Sequence, residues 1–259
     1  MPVTFGLMLS DATTRSLRGW ALFLDVDGTL LEIAETPRGV QVPPALKQLL
    51  VTLSFRLEGA LALVSGRTLN DLDHLFAPLR FCAAGVHGWE RRDVSGHVIR
   101  PQLDPHCLDS ARQYLRRFAE AQAGLLLEDK GHALAVHFRR VPHLSAEARN
   151  AVHAALERLG NQFVLQAGKC VFEIRPAGCT KGTAIRAFMQ QSPFLNRLPI
   201  YIGDDLTDED AFAVVNELGG ISIKVGDERQ SLAQHRLPGV RQVLRWLESV
   251  PSPVSVFAK

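Results

Sequence analysis

The chain has 259 residues, 46% of them hydrophobic and 22% charged, enough apolar material for one large domain or two small ones with real cores. Its 29 Lys and Arg against 27 Asp and Glu leave a net charge of +2, which excludes a strongly basic chain and gives no hint of a nucleic-acid or membrane partner, so neither is expected. No apolar run reaches the roughly 18 residues of a transmembrane helix, and the first 19 residues show neither a basic n-region nor an uninterrupted apolar h-region, so no signal peptide is expected. Cys82, Cys107, Cys170 and Cys179 form no CxxC pair and read as reduced thiols, not a disulfide frame or a zinc site. A cytoplasmic monomer is the expectation.

In chain order, short apolar runs at 20–24, 60–64, 81–84, 200–202 and 221–225 have the length of buried parallel strands. Helical patterns lie between or after most of them, at 43–57 (opened by prolines), 69–76, 181–191, 208–218 and 229–249, the last broken near Pro238. Strands alternating with helices predict a parallel, Rossmann-like sheet with helices on both faces. The middle differs. Amphipathic stretches at 104–124 and 144–160 each precede a pair of alternating segments, 125–140 and 162–176. This α-β-β, α-β-β pattern predicts a small open-faced sheet with helices on one side. The expected division is a core of 1–103 and 179–259 and an inserted α+β unit of 104–178, with Pro101, Pro105, Pro176 and Gly178 at the crossings.

In an open parallel sheet, ligands bind at the carboxyl ends of the strands. Here those ends read Asp25-Val26-Asp27-Gly28-Thr29, Ser65-Gly66-Arg67 and Gly203-Asp204-Asp205, with Asp208 close behind and Lys181 opening the preceding helix. Anions crowded on one rim need a cation, and an all-oxygen donor set suits a hard ion such as Mg2+. A carboxylate can also act as a nucleophile toward phosphorus. Phosphoryl transfer asks mainly for positioning and charge neutralisation, and this rim supplies both. Local readings stay open beside this one. Ser65 can cap the helix that follows it, Asp205 can cap or orient its loop, and Asp208 can complement a helix dipole. A lysine opening a helix, by contrast, calls for an anion nearby.

In these motifs the chain resembles the haloacid dehalogenase superfamily of phosphohydrolases. Its first motif, DxDGT, is matched by Asp25 to Thr29, its second by Ser65, its third by Lys181 and its fourth by Gly203 to Asp208. The resemblance implies that Asp25 attacks phosphorus and that Asp27 is general acid, then base. It implies Mg2+ on Asp25, the Asp27 backbone carbonyl and Asp204, with Asp205 and Asp208 supporting. The stretches VSGR (64–67), GVHGWERRD (85–93), LEDKGHALAVHFR (127–139), FEIRPAGCTKGTA (172–184) and GDDLTDEDAF (203–212) are similar to the trehalose-6-phosphate phosphatase family, from about residue 20 to 248. By that resemblance the inserted unit is a cap that closes over a small-molecule substrate, trehalose 6-phosphate, with Glu128, Lys130 and Glu173 gripping the distal sugar.

The pattern of the cap fits such a role. Residues i and i+2 of a strand share a face, so Glu128 pairs with Lys130, His137 with Arg139 and Glu173 with Arg175. Carboxylates accept from sugar hydroxyls and a lysine donates to them. Gly66, Arg67, His87 and Gly88 would border the same cleft from the core. Alternatively the polar face is simply solvated, His137 and Arg139 brace the cap, and Arg175 forms a boundary salt bridge. Arg91 and Arg92 read as solvated surface, and Trp20, Trp89 and Trp246 as packing residues. Other sugar-phosphate phosphatases, acting on sucrose phosphate or mannosyl-glycerate phosphate, and a non-catalytic sugar-phosphate sensor are the alternative functions.

Overall fold

A computed structural model describes residues 17–34, 39–104, 106–227 and 230–250. Pro105 and Arg229 therefore lie outside the described residues, as do the first 16 positions. The first strand, β1 (Trp20–Leu24), is buried at all five positions, as an apolar run covered on both faces must be. It pairs in parallel with β2 (Leu61–Val64) on one side and β10 (Leu198–Gly203) on the other. The sheet continues outward in parallel to β3 (Cys82–Gly85), to β11 (Ile221–Val225) and to β12 (His235–Leu237). Helices α1 (Pro44–Arg56), α2 (Leu69–Phe76), α5 (Lys181–Phe188), α6 (Glu209–Glu217) and α7 (Val240–Ser249) complete this layer. Phe23 of β1 stacks on Phe194 at 5.3 Å and meets Phe188 of α5 at 6.0 Å, tying the central strand to its helices.

Two parts of the large sheet depart from the sequence reading. The stretch 229–249 was expected to be helical with a break near Pro238, but His235–Leu237 forms the edge strand β12, and of its described residues only those of α7 are helical. Three residues paired to β11 carry too short an alternation to stand out, and tertiary pairing decides their state. At the opposite edge, β4 (Glu90–Arg92) and β5 (Val98–Ile99) add antiparallel to β3. Arg92 is therefore not solvated surface. It is buried and donates to Phe81 O at 3.0 and 3.1 Å and to Asp73 at 2.8 Å. Arg91 is half-buried, with its guanidinium 5.4 Å from the Phe188 ring centre.

A second sheet is antiparallel, in the order β6 (Leu126–Asp129), β7 (Leu134–His137), β9 (Val171–Pro176), β8 (Phe163–Gly168). Its pleat separates two chemistries. The register aligns Leu127, Val136, Phe172 and Ala167 in one cross-strand row, and Glu128, Ala135, Glu173 and Gln166 in the adjacent one. Leu127, Val136 and Phe172 pack with Leu115 of α3 (Asp109–Glu120) and Val152 of α4 (Ser145–Leu156). The other face is turned to the large sheet.

Side chains of the small sheet clasp the large one. Lys130 donates to Gly66 O at 2.8 Å and to both Glu173 oxygens, at 2.9 and 3.0 Å, while His87 Nε2 lies 3.3 Å from Glu173. Burial alone would raise the Glu173 carboxyl, but Lys130 and His87 outweigh it and hold it down at about 2. Burial lowers the His87 imidazole despite Glu173.

Replacing Arg92 with Met should lower the unfolding free energy by about 3 kcal/mol, because Phe81 O and Asp73 lose the buried guanidinium and Asp73 keeps only the exposed Arg80 at 3.6 Å; a denaturant titration checks this. Glu173 should contribute stability that is complete above its unfolded value near 4.5 and lost as pH falls toward about 2. The midpoint of thermal unfolding should therefore drop more steeply below about pH 4.5 in wild type than in Glu173→Gln.

Candidate active site

The carboxyl end of β1 carries the centre of the site. Asp25 leaves the strand with its N–H on Ile202 O at 3.0 Å, which seats it between β1 and β10. Its Oδ1 accepts from Lys181 Nζ at 2.7 Å. The same ammonium donates to Asp208 Oδ1, which also receives the Tyr201 hydroxyl, while Asp208 Oδ2 takes Asp205 N at 2.8 Å. Lys181 is the first residue of α5, whose cap is a reciprocal pair of bonds between Thr180 and Thr183. A cation there opposes the helix dipole, and two buried carboxylates compensate. Burial works against the charged lysine, yet Asp208 and Asp25 together raise its pKa. Asp208, although fully buried, is held below the usual carboxylate range by Lys181 and Tyr201.

Asp25 and Asp204 lack that degree of compensation. Burial pushes Asp25 well up, with Lys181 opposing and Asp208 and Asp204 adding to the rise. Burial also lifts Asp204 to about 6, with Lys169 opposing. Carboxylate oxygens of Asp25, Asp204 and Asp208 lie within 4.8 Å of one another. Asp25 Oδ2 is buried without a hydrogen-bond partner. An unsatisfied carboxylate oxygen beside a second buried acid is the donor arrangement that a divalent cation fits. Gly28 makes room for it: its φ is +86°, and a Cβ there would stand 2.1 Å from Asp204 Oδ2.

Asp27 is more open. Both its oxygens accept from Arg67, Oδ2 from Nε at 2.6 Å and Oδ1 from Nη2 at 2.7 Å. Ser65, at the end of β2, is buried, and its Oγ accepts from Arg67 N at 3.1 Å. The turn after β3 places His87 with positive φ at Val86, His87 and Gly88 in succession. Gly88 seats against the start of α5, where a Cβ would stand 2.3 Å from Thr180 O.

These groups enclose a cavity of about 180 Å3 between the sheets. Of the residues expected from sequence, Asp25, Asp27, Ser65, Gly66, Arg67, His87, Lys181, Asp204 and Asp205 line it from the large sheet. Glu128, Lys130, His137, Arg139 and Glu173 line it from the small one, and His137 Nε2 meets Glu128 at 2.8 Å. Asp208 and Gly88 lie behind the wall. Arg175 turns away, to Gln166 and to the carbonyl of Cys179. Two participants were missed. Tyr201 reads as a strand residue, and only its pairing with Asp208 reveals its role. Lys169, between β8 and β9, donates to Asp204 Oδ2 at 2.7 Å and to Asp204 O at 3.1 Å. A lone lysine in a hairpin turn carries no local signal for such a contact.

A family profile described as trehalose-phosphatase matches residues 23–239. The chain is 48% identical over 216 residues to a probable trehalose-phosphate phosphatase of Sinorhizobium fredii, covering 83% of this chain and 81% of that protein. It is 45% identical over 231 residues to the trehalose-6-phosphate phosphatase of Escherichia coli, covering 89% and 86%. A crystal structure of a trehalose-6-phosphate phosphatase related protein superposes with a TM-score of 0.75 at 26% identity, covering 88% of this chain and 96% of that one. With the profile spanning most of the sequence and relatives this similar over most of their length, the chain belongs to the trehalose-phosphatase family.

Proposed function

We propose that this protein hydrolyses trehalose 6-phosphate to trehalose and phosphate, with Mg2+ as cofactor and a phosphoryl-aspartate on Asp25 as intermediate. The observation that carries the chemistry is Asp25 itself, buried at a strand end with Oδ1 fixed by Lys181 and Oδ2 unbonded. An Asp25 oxygen attacks phosphorus, the bond from phosphorus to the sugar oxygen breaks, and Asp27 gives that oxygen a proton. Water then attacks phosphorus, Asp27 takes its proton, and the bond to Asp25 breaks to release phosphate. Both Asp27 oxygens are engaged by Arg67, so proton delivery requires Arg67 to release at least one. Ser65 accepts from Arg67 N through its oxygen and keeps its hydroxyl hydrogen for a phosphoryl oxygen. Asp25, the Asp27 backbone carbonyl and Asp204 would hold Mg2+, which supplies the positive charge that keeps Asp25 ionised and neutralises phosphoryl oxygens.

The small sheet acts as the cap, with Glu128, Lys130 and Glu173 offered to the sugar and Gly66, Arg67, His87, His137 and Arg139 around them. All four cysteines are free, which supports a reducing, cytoplasmic setting. Among the described residues no helix is long and apolar enough to cross a membrane.

Phosphate release should be strong from trehalose 6-phosphate with Mg2+, absent with EDTA, and weak from sucrose 6-phosphate and glucose 6-phosphate. Comparable release from all three sugars would discard the specificity. Asp25→Asn should abolish turnover, and Asp27→Asn should lower kcat by about 10²–10⁴ with KM little changed. Glu128→Ala should raise KM for trehalose 6-phosphate and leave hydrolysis of p-nitrophenyl phosphate nearly unchanged; equal losses on both would argue against a sugar-gripping cap.

A further inference from the structure

Lys169 reaches the catalytic carboxylates from the other sheet. It sits in the two-residue turn Lys169-Cys170 joining β8 to β9, and Cys170 takes the positive φ of +61° that closes so tight a turn. Two contacts fix this tip over the site. Arg139 Nη2 donates to Lys169 O at 2.9 Å, and Gly168 comes so near the loop after β10 that a Cβ on it would lie 3.1 Å from Asp205 Oδ2. The ammonium then lands on Asp204, whose side chain is 5% exposed while that of Lys169 is 38% exposed.

The donors available to a divalent ion here are few. Asp208 is engaged at both oxygens by Lys181, Tyr201 and Asp205 N, and Asp25 Oδ1 is taken by Lys181. Asp25 Oδ2, the Asp27 backbone carbonyl and the Asp204 carboxylate remain, and Lys169 holds Oδ2 of the last. Counted fully ionised, three carboxylates with two ammoniums sum to −1; a divalent ion added with both ammoniums in place would bring the cluster to +1. It would also put a dication beside the Lys169 ammonium, a repulsion that burial makes severe.

We infer that Lys169 is a positioning residue that holds the cation place at Asp204 in the metal-free enzyme, so that a divalent ion and the hairpin tip compete for one carboxylate. Metal entry displaces the ammonium from Asp204 and leaves it at the mouth of the phosphoryl pocket. The coupling is reciprocal: what loosens the tip tightens metal binding, and the ion loosens the tip. This inference rests on the metal-dependent reading of the site.

The test is calorimetric titration of the metal-free, full-length protein with MgCl2, alongside hydrogen exchange of peptides covering 163–176. Lys169→Met should bind Mg2+ about tenfold more tightly than wild type, and Lys169→Arg should restore the weaker binding. Mg2+ should speed exchange at the hairpin tip in wild type and leave it unchanged in Lys169→Met, where the tip is already released. Equal or weaker Mg2+ binding by Lys169→Met, with its thermal midpoint near that of wild type, would overturn the competition. Absence of Mg2+ binding in both proteins would overturn the metal reading and the competition with it.

Discussion

The buried ammonium of Lys181 is the interaction on which the site depends. Three carboxylates converge where β1 and β10 end, and in a dry interior they repel one another strongly. Lys181 bridges two of them, Asp25 and Asp208, across 156 and 27 residues of sequence. One charge thereby ties β1, the loop after β10 and the first turn of α5 into a unit. Leaving either carboxylate without its ammonium would strand a buried charge, which costs far more than the pair itself contributes. The capped start of α5 is accordingly a fixed point: Thr180 and Thr183 satisfy its backbone, and Gly88 lets the turn carrying His87 lie directly on it.

That fixed point also explains how the small sheet meets the large one. The chain leaves the large sheet after β5 and returns after β9, whose last residue, Pro176, stands five before Lys181. The strand that carries Glu173 thus leads directly to the helix whose first residue pairs with Asp25. Glu173 sits in a cross-strand row with Glu128, and the alternate row packs on α3 and α4. The two-residue period of a strand therefore builds a hydrophobic floor on one side and a polar ceiling over the site on the other.

Much of this was legible in the sequence because the signals were local. The run Trp20–Leu24 is apolar throughout and then turns acidic at once, and both facts follow from a strand buried on two faces that ends at a functional rim. The alternation in 125–140 and 162–176 gave the faces of the small sheet. What escaped detection depended on contacts made by the folded chain. Arg92 looks like a surface cation until β4 adds to the sheet edge and brings it to Asp73 and Phe81 O. β12 is three residues long and exists through its pairing with β11. Tyr201 alternates as any strand residue would, and Lys169 stands in a turn where lysine is ordinary. In each case the information lies in a tertiary contact; even Tyr201 and Asp208, seven residues apart, carry no periodic signal that pairs them.

The clasped state has a consequence for selectivity. The cavity of about 180 Å3 is smaller than the roughly 300–1,000 Å3 of ordinary ligand sites. Arg67, Glu128 and Lys130 also line a wider groove of about 1290 Å3 that runs between α2 and β6. A phosphorylated disaccharide cannot be enclosed without parting groups that now bind one another: Lys130 from Gly66 O and Glu173, and Arg67 from Asp27. Opening these pairs costs free energy for any ligand. A ligand with hydroxyls placed to rejoin the freed carboxylates and ammonium offsets that cost, whereas a phosphate ester equally large but without such hydroxyls leaves them unsatisfied and bears it in full. Under the proposed sugar contacts, discrimination arises from the polar groups that a wrong ligand strands as much as from those that the right one binds, and the side chains involved are those that hold the two sheets together.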